Sequence, residues 1–492
     1  MRRGARLGFT VPASQIRNSI YTPRYYDPEI DARLEELEAT HELVSIQDLI
    51  DSSELQLRQG RYIDKMHYGT GPVPYIRTSD IANWELRGSP KHGIAEAVAN
   101  EYRAWMDVKE MDVLLVHEGT YLIGTPCLIT RFDTDILFQH HLAKMRCVGE
   151  RLSGALLMAC LVAPIVQRQI RARQFTADVI DSIVGRLPEV KLPLHRNSQR
   201  RRSLSGLAYR LFDGRAEARA RVAALMRGLD NALATGTCGE LVQRIGDEAV
   251  TGTGHVDFLG ARPGSDSFTV RSAALRGDVL IPRYYDPRAG ELLAGMADRC
   301  TLVSIGELAD SGAIELQTGD EVGKLAYGGG DIAFVRTSDF GNWELVHDPK
   351  QRVSKEVFDE YGARQSALPG DILLVRDGTY LVGTTTIVQE DDVPMLFSGG
   401  IYRLRIKDTQ RLSPSLLLAL LNAQVVRRQM RNKRFTRDVI DTLGHRVREV
   451  VVPIPNQASE SAALERCMSS LLARRAVLRR EATALGDEVE AV

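Results

Sequence analysis

The stretch Pro23-Arg24-Tyr25-Tyr26-Asp27-Pro28 returns unchanged at positions 282–287, which is 259 residues further along the chain. Other blocks return in the same order at the same spacing, which widens to 260 residues near the end of each copy. They are 9–11 at 268–270, 43–46 at 302–305, 77–80 at 336–339, 119–122 at 378–381 and 178–181 at 438–441. Blocks of this length in one order and nearly one register indicate a tandem duplication, and not two domains that are similar by coincidence.

Between the repeated blocks the two copies differ. Residues 86–110 have little in common with 345–369, and the same holds for 131–147 against 391–406. A shared frame with different segments inserted into it indicates two related recognition surfaces with different preferences.

The composition is that of an ordinary globular chain. Of the 492 residues 44% are hydrophobic and 26% are charged, with a formal net charge of -1, and this length predicts two to four domains. The most apolar run, 152–166, is too short to span a bilayer, and Arg2, Arg3 and Arg6 precede no apolar segment of a signal peptide. The six cysteines are scattered without a disulfide or zinc-binding spacing, so we expect a reducing cytoplasm and no membrane.

Each copy has the pattern of an α+β domain with a small, mostly antiparallel sheet. A helix is predicted from 30 to 42, a longer one over 153–173 with a twin over 413–433, and a short one that begins at Thr176 or Thr436. The predicted strands are 74–77, 112–116, 121–123, 127–129 and 192–194 in the first copy and 333–336, 371–375, 386–388 and 452–455 in the second.

A long helix with a heptad pattern ends each copy. The apolar seam of the first is Leu204, Ala208, Leu211, Ala218, Val222, Leu225 and Leu229; that of the second is Leu464, Met468, Leu471, Leu478, Ala482, Leu485 and Val489. Arg215 and Arg475 interrupt the two seams at equivalent places, and a polar residue there can fix the register and the pairing of helices. The alternative is that each helix only covers its own domain. Residues 236–262, which carry glycine and threonine, are predicted to be a flexible connector.

No catalytic motif is common to the two copies. Residues 319–324 are similar to a phosphate-binding loop but are one residue too short for it. The nuclease-like Glu189-Val190-Lys191 becomes Glu449-Val450-Val451, and the possible metal pair His140-His141 becomes Gly399-Gly400. We therefore expect no catalytic residue, no metal and no cofactor.

Two basic segments do recur. Residues 168–202 contain nine lysines and arginines against three acids, and 427–448 contain eight against two. Their recurrence, with Phe-Thr at the predicted start of a helix, favours a phosphate-binding surface over a merely solvated helix face. The loops 117–121 and 376–380 are either simple hairpins or elements that enter a DNA groove, where His117 and Arg376 would read different bases.

Together these features resemble the specificity subunit of type I restriction–modification systems. The resemblance covers essentially the whole chain and is carried by 75–81 and 334–340, by 371–379 with its first-copy twin, and by 452–457 before a helix. It implies target-recognition domains at 1–200 and 263–456, spacer helices at 201–235 and 457–492, and a linker at 236–262. The two helices would form an antiparallel coiled coil with pseudo-twofold symmetry.

The resemblance also implies a function without catalysis by this chain. Each domain would read one half of a bipartite site in double-stranded DNA, while a methyltransferase subunit, with or without a restriction subunit, would act on it. The candidate DNA-binding residues are Lys65, Arg77, Thr78, Ser79, His117, Thr120, Tyr121, Arg171, Arg173, Thr176, Lys324, Arg336, Thr337, Ser338, Arg376, Thr379, Tyr380, Arg431, Lys433, Arg434 and Thr436. The alternatives are a stand-alone nuclease or methyltransferase with an unrecognised active site, and a tandem DNA-binding regulator.

Overall fold

The computed structural model describes residues 9–17, 20–176, 180–247, 267–276, 279–365, 367–437 and 440–491. The chain divides into two compact units. Unit 1 contains the described residues up to Ala216 and those from Val477 onward, and unit 2 contains those from Glu217 to Ala476.

Unit 1 combines small sheets with helices. Its strands are β1 (His41–Ser45), β2 (Leu55–Gln59), β3 (Val73–Ile76), β4 (Ile81–Ala82), β5 (Glu85–Leu86), β6 (His92–Ile94), β7 (Val113–Val116), β8 (Glu118–Gly119), β9 (Pro126–Leu128), β10 (Leu137–Phe138), β11 (Leu142–Cys147), β12 (Asp181–Ser182) and β13 (Lys191–His195). Its helices are α1 (Pro28–Leu37), α2 (Ile46–Asp51), α3 (Glu96–Met106), α4 (Gly154–Val162), α5 (Pro164–Ala172) and the first part of α6 (Ser198–Thr235).

Unit 2 repeats this plan. Its strands are β14 (Cys300–Ser304), β15 (Ile314–Thr318), β16 (Ile332–Val335), β17 (Arg352–Val353), β18 (Ile372–Val375), β19 (Asp377–Gly378), β20 (Thr385–Ile387), β21 (Met395–Phe397), β22 (Ile401–Ile406), β23 (Phe435–Arg437), β24 (Ile440–Thr442) and β25 (Val451–Pro455). Its helices are α7 (Cys238–Asp247), α8 (Pro287–Ala294), α9 (Ile305–Asp310), α10 (Lys355–Gln365), α11 (Pro414–Leu421), α12 (Gln424–Lys433) and the first part of α13 (Ala458–Val489), whose last part lies in unit 1.

The strand order is the same in both units. The sheet β2-β11-β7-β9 corresponds to β15-β22-β18-β20, and β10-β3-β6 corresponds to β21-β16-β17. Strand pairs are antiparallel except β10–β3 and β16–β21, which are parallel. The predicted α+β class is therefore confirmed, and the duplication extends to the topology.

The central strands are apolar on both faces because both faces are covered. In β7, Val113 and Leu115 join one buried cluster, while Leu114 and Val116 join another. Side chains alternate across a strand, so an unbroken apolar run is needed where each face packs on a core. Strand β18 of unit 2 has the same alternation between two clusters.

The helix predicted over 153–173 is wrong in one respect, because it is broken into α4 and α5, which meet at a bend of 70°. Ala163 is extended and Pro164 begins α5, where its missing N–H and fixed φ are tolerated. The twin helix predicted over 413–433 is broken at the same place. There the side chain of Asn422 donates a 2.8 Å hydrogen bond to the Leu418 carbonyl at the end of α11.

Three further predictions of local structure are wrong. Thr436 does not begin a helix but lies in β23. The helix predicted to begin at Thr176 would fall on residues 177–179, which lie outside the described ones. Residues 121–123 form a turn and not a strand. The predicted flexible connector 236–262 begins with the amphipathic helix α7, which packs into unit 2; the rest of it, from 248, lies outside the described residues.

The heptad seams of both long helices are buried, except at Leu478, which is half-buried. In unit 1, residues of α6 and α13 share one apolar cluster: Leu204, Ala208, Leu211, Ala482, Leu485 and Val489. In unit 2 a second cluster holds Val222, Leu225, Leu229, Leu464, Met468 and Leu471. In the described part of the chain no single helix is long and apolar enough to cross a membrane, although the bent pair α4 and α5 together meets the length and composition required.

The arginines that interrupt the seams are buried and face glutamates of the repeated frame. Arg215 Nη2 lies 3.1 Å from Glu85 Oε1 in unit 1, and Arg475 Nη2 lies 3.2 Å from Glu344 Oε1 in unit 2. All four side chains are nearly inaccessible to solvent. A buried ion pair is costly to break, because removal of one partner leaves the other charge desolvated.

A strained turn carries each glutamate to its helix. Trp84 and Trp343 have φ values of 64° and 60°, a left-handed conformation that a bulky residue adopts only when its surroundings enforce it. The Trp84 ring packs against Phe212 of α6, and Trp343 Nε1 donates to Asn422 Oδ1 at 3.3 Å. The tryptophan and the following glutamate thus attach each frame to the helical part of its own unit.

We expect Arg215→Met to lower the free energy of unfolding by about 3 kcal/mol or more, because Glu85 then stays buried without the facing cation. Urea unfolding of the full chain measures this change. The double variant R215M/E85Q should recover part of the loss, since it desolvates no charge. Arg210→Met, at an exposed site of the same helix, is the matched control and should change little. An R215M chain as stable as this control would contradict a structural role for the pair.

Candidate nucleic-acid interface

The repeated Arg-Thr-Ser-Asp block forms a tight turn held by its aspartate. Asp80 is buried, and its carboxylate accepts hydrogen bonds from the backbone N–H groups of Arg77 at 3.0 Å and Lys91 at 3.1 Å. Desolvation raises the pKa of Asp80, and the hydrogen bonds from the two backbone N–H groups partly offset this effect by stabilising the carboxylate. The turn holds Thr78 and Ser79 at the surface, half exposed.

Unit 2 contains the same turn, and its side chains are more exposed to solvent. Asp339 accepts the Arg336 backbone N–H at 2.8 Å, while the side chains of Arg336 and Ser338 are exposed and that of Thr337 is half exposed. Arg336 can donate hydrogen bonds to base edges or phosphates, and the hydroxyls of Thr337 and Ser338 can both donate and accept them.

Arg77 has a different environment from Arg336. Its Nη1 lies 3.4 Å from His92 Nε2, and its Nε lies 3.4 Å from Gln139 Oε1. His92 stacks on Tyr68 with ring centroids 4.2 Å apart. Burial, with the charges of Lys91 and Arg77 adding to it, lowers the pKa of His92 to about 4. The ring is therefore neutral at pH 7 and can accept the Arg77 hydrogen bond.

In the loop at 117–121 the first residue, His117, is not the base-reading side chain that the sequence predicts. His117 is buried, its Nε2 lies 2.9 Å from the His140 carbonyl, and burial lowers its pKa. The structure therefore places His117 in the wall of the site. Thr120 is half exposed and its carbonyl accepts from Gln174 Nε2 at 2.5 Å, whereas the Tyr121 side chain is exposed.

Arg376, which replaces His117 in unit 2, is half exposed. It donates from Nη1 to the Gly399 carbonyl at 3.2 Å, and its Nε lies 3.2 Å from Asp377 Oδ2. Its guanidinium also lies 5.7 Å from the centre of the Tyr402 ring. The side chain is thus held flat along the loop, next to the exposed Thr379 and the half-exposed Tyr380.

The repeated Pro-Arg-Tyr-Tyr-Asp-Pro block explains much of the basic segments. Tyr25 Oη donates to Glu189 Oε2 at 2.5 Å, and burial together with this bond raises the pKa of Tyr25 to about 12. Arg173 Nε lies 3.4 Å from Oε2 of the same glutamate, and the Arg173 side chain is mostly buried. In unit 2, Tyr284 and Lys433 share a glutamate in the same way, with the Lys433 Nζ 2.9 Å from Glu449 Oε2.

Other cations of the basic segments are also paired inside their units. Arg434 Nε lies 3.3 Å from Asp441 Oδ2, and Thr436 Oγ1 donates to Oδ1 of the same aspartate at 2.6 Å. Arg168 pairs with Asp27 at 2.8 Å. Several cations of the basic segments are therefore paired with neighbouring acids. Arg171 stays exposed, Arg431 is half exposed, and the Thr176 side chain is exposed.

Lysines Lys65 and Lys324 lie on exposed 3₁₀ turns, Lys65–His67 and Lys324–Ala326. In unit 1 the turn is followed by Tyr68, which through His92 adjoins Arg77. In unit 2 Glu321, just before the turn, accepts the Gly399 backbone N–H at 3.1 Å.

The structure brings several predicted residues together in each unit. In unit 2, Gly400 lies so close to Thr337 and Asp377 that a side chain at Gly400 would touch Thr337. Asp377 is the first residue of β19. Strand β19 pairs with β24, and β24 pairs with β23, which contains Thr436. In unit 1 the pairing of β8 with β12 likewise places the 117–121 loop beside Asp181 and Ser182, and Gln174 bonds to Thr120 of that loop. We call interface 1 the surface of Lys65, Arg77, Thr78, Ser79, Thr120 and Tyr121, and interface 2 that of Lys324, Arg336, Thr337, Ser338, Thr379 and Tyr380.

Sequence reasoning did not assign two features that shape these surfaces. The tyrosine–glutamate bonds under the basic segments were signalled only by the repeated Tyr-Tyr, without an indication of their partners. The stacking of Tyr68 on His92 has no signal in the sequence, since it joins two separate segments. Among the described residues, no three or more His, Cys, Asp or Glu side chains form a group that could hold a metal ion.

No family model and no curated protein matches the sequence. Solved structures similar to the chain include the type I restriction–modification S subunit from M. genitalium, with a TM-score of 0.33 and 13% identity over 92% of this chain and 95% of that one. They also include a chain from a study of complex assembly and conformational transition of the type I R-M system (TM-score 0.27, 15% identity, 92% and 97% covered). A third is the HsdS subunit from Thermoanaerobacter tengcongensis (0.25, 15%, 92% and 95%). All three belong to type I restriction–modification systems.

We expect Arg173→Ala to destabilise unit 1 by about 2 kcal/mol, because the alanine leaves Glu189 with one charged hydrogen-bond partner fewer. Thermal or urea unfolding measures the loss. Arg171→Ala, two residues away and exposed, is the matched control and should leave stability unchanged within about 0.5 kcal/mol. Equal stability of the two variants would show that Arg173 is not a structural cation.

We expect His92 to make unit 1 less stable as the pH falls. Its folded pKa is about 4, below the ordinary 6.5, so the unfolded chain takes up a proton that the folded chain refuses. Stability is therefore lost as the pH falls from about 6.5 towards about 4. The unfolding midpoint of His92→Gln should fall less between about pH 7 and about pH 5 than that of the unmodified chain. Parallel pH dependences would exclude the neutral, buried histidine.

Proposed function

We propose that this chain is the DNA sequence-specificity subunit of a type I-like restriction–modification complex or a related phage-defence complex. Unit 1 reads one half of a bipartite site in double-stranded DNA and unit 2 reads the other. One observation carries the proposal: two units of the same strand order expose equivalent polar turns and loops whose surrounding side chains differ. Two readers of different base sequences require a repeated frame whose surface turns and loops carry different side chains.

The chemistry of the rims suits DNA. Hydroxyl groups such as Thr78, Ser79 and Thr337 can pair with base edges or phosphates, and Lys65 and Arg336 supply exposed cations. Since several cations of the basic segments are paired with acids inside their units, the exposed ones gain weight in this proposal. Arg171 in particular would contact phosphate, while Arg173 supports the surface from below.

The carboxylates that both copies share act within the frame, which supports a chain without catalysis of its own. Asp80 and Asp339 hold the polar turns. Glu189 and Glu449 bind the tyrosines of the repeated block, and Asp441 is occupied by Thr436 and Arg434. We therefore assign the chemistry to an adenine methyltransferase partner that uses S-adenosylmethionine, with or without a restriction subunit, and the location to the cytoplasm.

We further propose that α6 and α13 pair antiparallel as a spacer with pseudo-twofold symmetry. Contacts within each unit support this pairing. In unit 1 the start of α6 meets the end of α13, where Arg200 Nη2 lies 2.8 Å from Glu488 Oε2. In unit 2 the later part of α6 meets the earlier part of α13, where Arg474 Nη2 lies 2.9 Å from Glu217 Oε2. Target-recognition domains at 1–200 and 263–456 with spacer helices at 201–235 and 457–492 follow from this assignment.

The test uses two chains with exchanged frames. Residues 1–197 are replaced by 263–457 in one chain, and 263–457 are replaced by 1–197 in its reciprocal control. Each chain is co-expressed with an adenine methyltransferase that co-purifies with the unmodified chain, and methylated adenines are mapped across the host genome. The unmodified chain should give a bipartite motif with two different halves. Each exchanged chain should give an inverted repeat of a single half, a different one for each chain.

Other outcomes favour the alternatives. Methylation or cleavage by the purified chain alone would identify a stand-alone enzyme. Sequence-specific DNA binding without any effect on methylation would identify a regulator. An exchange that alters both halves of the motif, or neither of them, contradicts the assignment of one reader to each unit.

A further inference from the structure

We propose that Met66 and Leu325 are apolar wedges that enter the minor groove of the bound DNA and unstack a base step in each half-site. The inference rests on the proposed function and adds a specific mode of contact to it. Each residue lies at the tip of a short turn at the edge of its interface.

The two side chains are far more exposed than apolar residues of their size usually are. Met66 is 73% exposed and Leu325 is 104% exposed. They occupy equivalent positions, 259 residues apart, although the two turns differ in every residue except the lysine. Single exposed apolar residues are common on protein surfaces. Here, however, both copies keep a large apolar side chain at the same fully solvated tip, where it gains nothing from its own fold.

Each turn is built to hold its tip in place. In unit 1, the Asp64 side chain accepts the Met66 backbone N–H at 2.9 Å, and Thr70 Oγ1 donates to the His67 carbonyl at 2.7 Å. In unit 2, Gly323 has a φ of 78°, and the Gly328 N–H donates to the Arg352 carbonyl at 2.8 Å. A tip fixed in this way loses little conformational entropy when it inserts into a partner.

The turns lie beside the polar surfaces assigned to DNA. The Lys65–His67 turn runs into Tyr68, whose ring stacks on His92, and His92 contacts Arg77. The Lys324–Ala326 turn follows Glu321, which binds Gly399 next to the site of Thr337. DNA bound to either interface would therefore meet the tip.

The chemistry around each tip favours DNA over a protein partner. A protein interface needs a contiguous apolar core. Each tip is instead one large apolar side chain in a three-residue turn, directly after an exposed lysine, Lys65 or Lys324. An apolar wedge between base pairs with a cation on the adjacent phosphate is how several proteins kink DNA from the minor groove.

The experiment uses duplexes that carry the mapped site, with 2-aminopurine in place of one adenine at a time in each half. Fluorescence of this base rises when it is unstacked. The full chain, bound to its methyltransferase, should raise the fluorescence at one step in each half. Met66→Ser should abolish the rise in the half read by unit 1 and Leu325→Ser in the half read by unit 2. Each should weaken binding about tenfold to hundredfold, as expected when a buried Met or Leu is lost.

The matched controls are Val148→Ser in unit 1 and Leu368→Ser in unit 2, which are exposed apolar residues outside both interfaces. They should leave affinity and fluorescence unchanged, and all four variants should melt like the unmodified chain. Wedge variants that bind and unstack DNA normally would overturn the inference and leave the proposed function intact. So would variants that bind DNA normally but no longer hold the methyltransferase, because the tips would then be protein contacts. If the unmodified complex binds no DNA, the proposed function and the inference both fail.

Discussion

The buried ion pair between a long helix and the repeated frame is the contact on which the rest of each unit depends. Arg215 reaches Glu85, and Arg475 reaches Glu344, in places where neither charge has access to bulk water. Burying two charges costs free energy that their attraction and hydrogen bonds must offset, so the geometry tolerates little displacement. Because each glutamate follows a tryptophan held in a left-handed turn, the ion pair also determines where the polar turn just before it is presented.

A second layer of internal pairing separates supporting charges from exposed ones. Glutamates under the tyrosine block and Asp441 pair with Arg173, Lys433 and Arg434 of the basic segments. Interfaces 1 and 2 present hydroxyl groups, lysines and arginines, exposed or half exposed, beside the two apolar tips. A surface of this kind suits selective contact with DNA, because non-specific attraction grows with the number of free cations while base selection depends on a few well-placed groups.

Local patterns predicted the features that repeat at short range. The duplication, the α+β class, the central strands and the heptad seams follow from spacing alone, and the residues of those seams are buried except the half-buried Leu478. The sequence failed where a distant partner decides the conformation. Thr436 lies in a strand because β24 pairs with it. The single helices predicted over 153–173 and 413–433 break after α4 and α11. In unit 1 the proline at the break was visible in the sequence, yet in unit 2 no proline marks it.

Charge was the property that the sequence described least well. By itself the sequence determined that two copies of one frame exist, that their rims differ, and that Arg215 and Arg475 interrupt otherwise apolar seams. Only the tertiary structure decided which cations are free, because the acids that neutralise Arg173 and Arg168 come from segments about 16 and 141 residues away. Periodicity reports which face of an element is buried, whereas an ion pair depends on distances between elements that no local pattern encodes.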